Sequence, residues 1–134
     1  MNEKFDPTNP QTWLARARSN LRLAEVGHQQ GVFLEDLCFE AQQAAEKALK
    51  SLWVRHGLDT PRTHSLVILM DGSAPAGLEV PSEVKAADVL TQYAVQARYP
   101  DWGEQVTEAE YAHVLELARG VVSWAERVLE GGDR

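Results

Sequence analysis

The sequence predicts an all-α protein, an up-and-down helical bundle of four long helices plus one short one. Three observations predict it. Apolar residues recur at helical spacing through most of the 134 residues. No stretch alternates with period two as a half-buried strand does. Pro, Gly and capping residues punctuate the chain at short intervals, which leaves only short connections between helices.

The first helix opens at Asn9-Pro10, a capping side chain followed by proline in the first turn. It is expected to run to about His28, with Trp13, Leu14, Ala17, Leu21, Ala24 and His28 as its inward stripe. Phe33 to Gly57 is the longest run of strong helix formers and contains no internal Gly or Pro. One side carries Leu34, Leu37, Cys38, Ala41, Ala44, Ala45, Ala48, Leu49 and Leu52. On the other, Phe39, Trp53 and Val54 bracket Gln43, Glu46 and Lys50, with Gln42 and Lys47 flanking. A helix apolar on two sides sits between other elements, so this one is the spine. After Pro61, Thr63 is the expected cap of a short helix, HSLVILM, with Leu66, Leu69 and Met70 on one face. Gly, Pro and small residues mark GSAPAGLEV as the loosest loop. Pro81-Ser82-Glu83 opens the fourth helix, whose inward stripe reads Val84, Ala87, Thr91, Ala94 and then Arg98. Thr107 and Glu110 have capping-box spacing. The last helix turns Tyr111, Val114, Leu115, Ala118, Val121, Val122, Ala125 and Leu129 inward.

The length suits a single domain spanning residues 1–134, with its core between about 10 and 130. A net charge of −7 argues against a non-specific nucleic-acid coat, which needs many Lys and Arg contacts to phosphate. One cysteine excludes an internal disulfide, and its place on the apolar side reads as an inert buried thiol. There is no signal-peptide pattern and no 18-residue apolar span, so no membrane partner is expected and the localisation expected is cytoplasmic.

Four constellations bear on chemistry. Arg98 keeps its charge and shares the register of an apolar stripe. It either caps its helix and pairs with Asp101 or points at an anion such as phosphate. Gln43, Glu46 and Lys50 share a face, and Glu46 to Lys50 is an i,i+4 pair in the favourable order. The strip is a solvated ion pair, a dimer seam or the lining of a ligand cleft. Arg55, His56, Arg62 and His64 form a basic group around the turn after the spine. His56, on the apolar side, reads as a satisfied core histidine. Glu25 with His28, and Glu110 with His113, repeat the Glu-x-x-His spacing of di-iron bundles. However, His113 lies about 140° from the centre of its helix's apolar stripe, so no metal site is expected. Phosphate-loop, C-x-x-C and G-x-S-x-G motifs are absent, and no cofactor is expected.

FEAQQAAEKALKSLWVRHG, then THSL, then LTQYAVQARYPD, in that order, resemble the prokaryotic HEPN domain (higher eukaryotes and prokaryotes nucleotide-binding). WLARARSNLRLAEVG in the first helix agrees, and the resemblance extends from Trp13 to about Leu129. It implies an all-α bundle that pairs as a homodimer. It also implies a minimal nucleotidyltransferase as partner in a toxin–antitoxin-like or nucleotide-handling complex. Many HEPN proteins are metal-independent endoribonucleases whose motif has an Arg and a His separated by four to six intervening residues. The matching Arg is Arg98, but the His positions hold Gly103, Glu104 and Gln105. The proposed acid–base partner is missing, so no catalytic residue is assigned. The resemblance leaves a binding role for Arg98 with Tyr99 and Asp101, on a nucleotide or RNA. Gln43, Glu46, Lys50 and His64 complete the candidate ligand-binding set. The alternatives are an endoribonuclease with His64 or Tyr99 as its base, and a pure interaction module without a ligand.

Overall fold

The computed structural model describes residues 4–96 and 105–131. Among these, every regular element is helical. Helix α1, Pro10–Ala24, starts where Asn9 accepts the Gln11 N–H at 2.9 Å. It stops a turn earlier than expected. The Glu25 N–H bonds back to Leu21 and Arg22, and Gly27, at φ 77°, swings the chain out of helical register. His28 is therefore exposed, not part of the inward stripe, and pairs with Glu108 at 2.8 Å.

Helix α2, Leu34–Arg55, is the spine, and it packs against α1 and against every later helix it meets. Glu35 and Asp36 complement the positive end of its dipole, and Gly57, at φ 73°, follows its last turn. The nine apolar residues expected on its inward side are all buried. Five of these are small: Cys38, Ala41, Ala44, Ala45 and Ala48 are completely enclosed, which lets neighbouring helices approach closely.

The short helix α3, Leu66–Gly72, begins later than expected. Ser65, not Thr63, is its cap and accepts the Ile68 N–H at 3.3 Å. The Thr63 hydroxyl is already engaged, accepting the Ser65 N–H at 3.0 Å. His64 is thus left in the connection before the helix. Leu66, Leu69 and Met70 are buried as predicted. The following loop forms a 3-10 turn at Ala74–Ala76 and is pinned on either side. Ser73 donates to the Met70 carbonyl at 3.0 Å, and Leu78 is buried.

The fourth long helix is a composite: α4, Ser82–Lys85; a 3-10 stretch, Ala86–Leu90; and α5, Thr91–Gln96. Three residues per turn carry the inward stripe through Val84, Ala87, Leu90 and Tyr93. Leu90 and Tyr93 therefore occupy the core where Thr91 was expected. Thr91 is half-buried, and its hydroxyl accepts the Leu66 N–H at 3.1 Å. Arg98, Tyr99 and Asp101 lie outside the described residues.

Helix α6, Glu108–Leu129, starts at Thr107, which accepts the Glu110 N–H at 3.1 Å. Its buried face includes Trp124 and Val128 beyond the expected set, while Leu129 is half-buried. Tyr111 ties it to the end of α1: its hydroxyl donates to the Ala24 carbonyl and accepts the Gly27 N–H. Among the described residues, no helix is long and apolar enough to cross a membrane.

Candidate functional site

Gln42, Glu46 and Lys50 stand one turn apart on α2, and all three are buried. Unpaired charge is costly there, so each group must find partners inside the protein. Glu46 is the hub. Its carboxylate takes the Lys50 ammonium at 2.9 Å and the Gln42 amide at 3.2 Å. The Gln43 amide reaches it at 3.4 Å, and His64 Nδ1 stands 2.8 Å from it. Gln42 also donates to the His64 carbonyl at 3.0 Å, so both the backbone and the ring of His64 are held by α2. The Gln43 amide donates to Gln42 Oε1 at 2.8 Å. Lys50 lies 5.8 Å from the centre of the Trp13 ring on α1.

Burial works to raise the Glu46 pKa. Hydrogen bonds from His64 and Lys50, the Lys50 charge and the Gln42 amide outweigh it and hold the carboxyl below its ordinary range. The network therefore keeps Glu46 ionised. The His64 side chain remains 47% exposed while Glu46 is enclosed, so the network reaches solvent through the imidazole.

The structure thus brings together four of the seven expected site residues: Gln43, Glu46, Lys50 and His64. The strip is not a solvated ion pair, because Glu46 and Lys50 are buried by groups of the same chain. Trp53, expected to frame it, is committed to α3. Its indole donates to the Leu69 carbonyl at 2.7 Å, and its ring lies directly against Gly72. Gln42, read from the sequence only as a flanking residue, is completely buried at the centre. The signal for it was the unbroken i,i+4 row of positions 42, 46 and 50. Trp13 was legible only as a core residue.

Other groups fall elsewhere. His56 caps α2, with Nδ1 2.8 Å from the Leu52 carbonyl oxygen, consistent with a satisfied histidine. Burial, together with the Glu110 and Glu35 charges, pushes the Cys38 thiol up to about 12, which makes it inert. Glu110 does not complete a capping box; it accepts the Tyr93 hydroxyl instead. Burial and that carboxylate hold the Tyr93 phenol well above its ordinary range. The Glu-x-x-His residues are dispersed. Glu25 pairs with Arg119 at 2.6 Å, and His113 is exposed. Among the described residues, no group of three or more His, Cys, Asp and Glu side chains is placed to hold a metal ion.

A family model described as HEPN domain matches residues 10–128. Two solved structures are similar over 88% of this chain. TT1696 from Thermus thermophilus is 34% identical, with 96% of its own chain covered and a TM-score of 0.76. ST0689, described as an archaeal HEPN homologue, is 26% identical, with 95% of its chain covered and a TM-score of 0.69. A search of the curated proteins found no match.

Proposed function

This chain belongs to the HEPN domain family, and on that premise we propose that it is a non-catalytic, homodimeric HEPN subunit. In this reading it binds a nucleotide and works beside a minimal nucleotidyltransferase in a toxin–antitoxin-like system. The observation that carries the reading is the Glu46–His64 pair at 2.8 Å, with Glu46 itself fixed by Lys50, Gln42 and Gln43. A half-exposed imidazole anchored by a buried carboxylate is pre-oriented, and pre-orientation lowers the cost of gripping a ligand. Gln43, Glu46 and Lys50 serve as its support, and His64 meets the ligand. Arg98 supplies the charge for a phosphate, with Tyr99 and Asp101 beside it in sequence. The absence of histidine at positions 103–105 favours binding over cleavage.

Calorimetry with ATP, GTP and short RNA oligonucleotides tests this on the wild type, Arg98→Ala and His64→Ala. Each substitution is expected to weaken binding by about tenfold, as loss of a charge-assisted hydrogen bond does. Absent binding, or equal binding in all three proteins, sinks the proposal. Sedimentation of the wild type tests the dimer, and co-purification with a co-expressed nucleotidyltransferase tests the partner.

The same pair favours one second reading, an endoribonuclease with His64 as its base. A carboxylate that orients an imidazole is the usual support for a general base. That reading requires RNA cleavage in the presence of a chelator, abolished in His64→Ala. An intact RNA substrate at high protein concentration removes it.

A further inference from the structure

A second site stands beside Trp13. The segment before α1 folds back over the helix. The Trp13 indole donates to the Pro7 carbonyl at 2.9 Å, and Phe5 meets the Trp13 ring edge-on, with centroids 5.0 Å apart and planes at 83°. Two rings at nearly a right angle make an apolar corner. Arg16 lies 5.5 Å from the centre of the Phe5 ring, and Lys47 of α2 borders the same open hollow. Phe5, Trp13, Arg16 and Lys47 line a cavity of about 260 Å³.

The two cations at this corner have no carboxylate in direct contact. Lys50, at the same indole, is neutralised by Glu46 at 2.9 Å. Among the described residues, neither Arg16 nor Lys47 forms an ion pair with a carboxylate. Lys47 donates instead to the neutral amide oxygen of Asn20 at 2.8 Å. Burial holds the Lys47 ammonium below its ordinary range; Glu40 and Glu46 counter this, while the Arg16 and Lys50 charges add to it. Arg16 and Lys47 both border this one small cavity, so their N–H donors can reach an anion seated in it.

We propose that this corner binds an oxyanion joined to a flat ring, directly as in an aromatic carboxylate or through a sugar as in a nucleoside monophosphate. Arg16 and Lys47 hold the oxyanion, while Trp13 and Phe5 take the ring by stacking on one face and closing one edge. The volume lies just below the range of ligand pockets, about 300 to 1,000 Å³, which limits the occupant to one small ring and its anion. The site uses α1, the preceding segment and one residue of α2; it touches the Glu46 network at Trp13 and does not include His64.

The test is calorimetric titration of AMP, adenosine, benzoate and inorganic phosphate into the full chain and into Arg16→Gln and His64→Ala. Either AMP or benzoate is expected to bind at least about tenfold more tightly than adenosine or phosphate alone. Whichever of the two binds more tightly identifies the anion. Arg16→Gln, at an exposed position, is expected to weaken that binding by about tenfold with an unchanged circular dichroism spectrum. His64→Ala is expected to leave it intact. In the wild type, the Trp13 indole N–H resonance, assigned with Trp13→Phe, is expected to shift on addition of ligand. The proposal is overturned if neither AMP nor benzoate binds, or if phosphate alone binds as tightly. It is also overturned if Arg16→Gln binds as the wild type does, or if His64→Ala rather than Arg16→Gln abolishes binding.

Discussion

Glu46 is charged, enclosed and surrounded by donors, and each of these facts depends on the others. Lys50 Nζ and His64 Nδ1 stand 2.9 and 2.8 Å from its carboxylate, which offsets the cost of removing the charge from water. Removing one partner of such a pair strands the other. Glu46→Gln is expected to cost about 3–5 kcal/mol in urea denaturation, because the Lys50 ammonium stays buried without a counter-charge. The pH dependence follows in sign. The folded Glu46 carboxyl lies below its ordinary value, and in the unfolded chain it returns to about 4.3. Its contribution is complete above that value and is lost as the pH falls through the lower, folded one. Stability is therefore expected to decline on acidification below about pH 4, with a shallower decline in Glu46→Gln. Denaturation midpoints of the two proteins across an acid series check this.

At the scale of elements, the junction of α2 with α3 shows how a glycine can be chosen by its neighbour. A Cβ on Gly72 would stand 2.6 and 2.7 Å from two ring carbons of Trp53. The indole cannot simply withdraw, since its N–H is spent on the Leu69 carbonyl. Gly72→Ala is expected to destabilise by about 1–3 kcal/mol, the usual cost of overpacking. Trp53 fluorescence should shift as well; an unchanged midpoint would show that the ring moves freely. Helix α6 gives a second case. Thr107→Ala removes the acceptor for the Glu110 N–H and is expected to cost about 1 kcal/mol by thermal melt.

Across the whole molecule, α2 is enclosed by the other helices, and its small residues set how closely they approach. Among the described residues, Trp124 of α6 is the largest fully buried side chain. Trp124→Ala is expected to cost about 3–5 kcal/mol, because the bundle closes only partly around the space left. Urea unfolding followed by circular dichroism checks it, and a loss below about 1 kcal/mol would mean that the helices collapse onto the gap.

The sequence by itself determined the helices and most of their inward faces. Caps such as Asn9 and Thr107, the glycines that stop α1 and α2, and the spacing of Leu and Ala act over a few residues, so they are legible locally. It also determined that Glu46, Lys50 and Gln43 share a side of α2. Only the tertiary structure decided what that side does. Whether a polar strip is wet or buried depends on what packs over it, and here His64 and Trp13 arrive from distant parts of the chain. The same holds for the inward stripe of the fourth helix, where a 3-10 stretch brings Leu90 and Tyr93 into the core. A helix's local period is open to small adjustment, and contacts with its neighbours settle it.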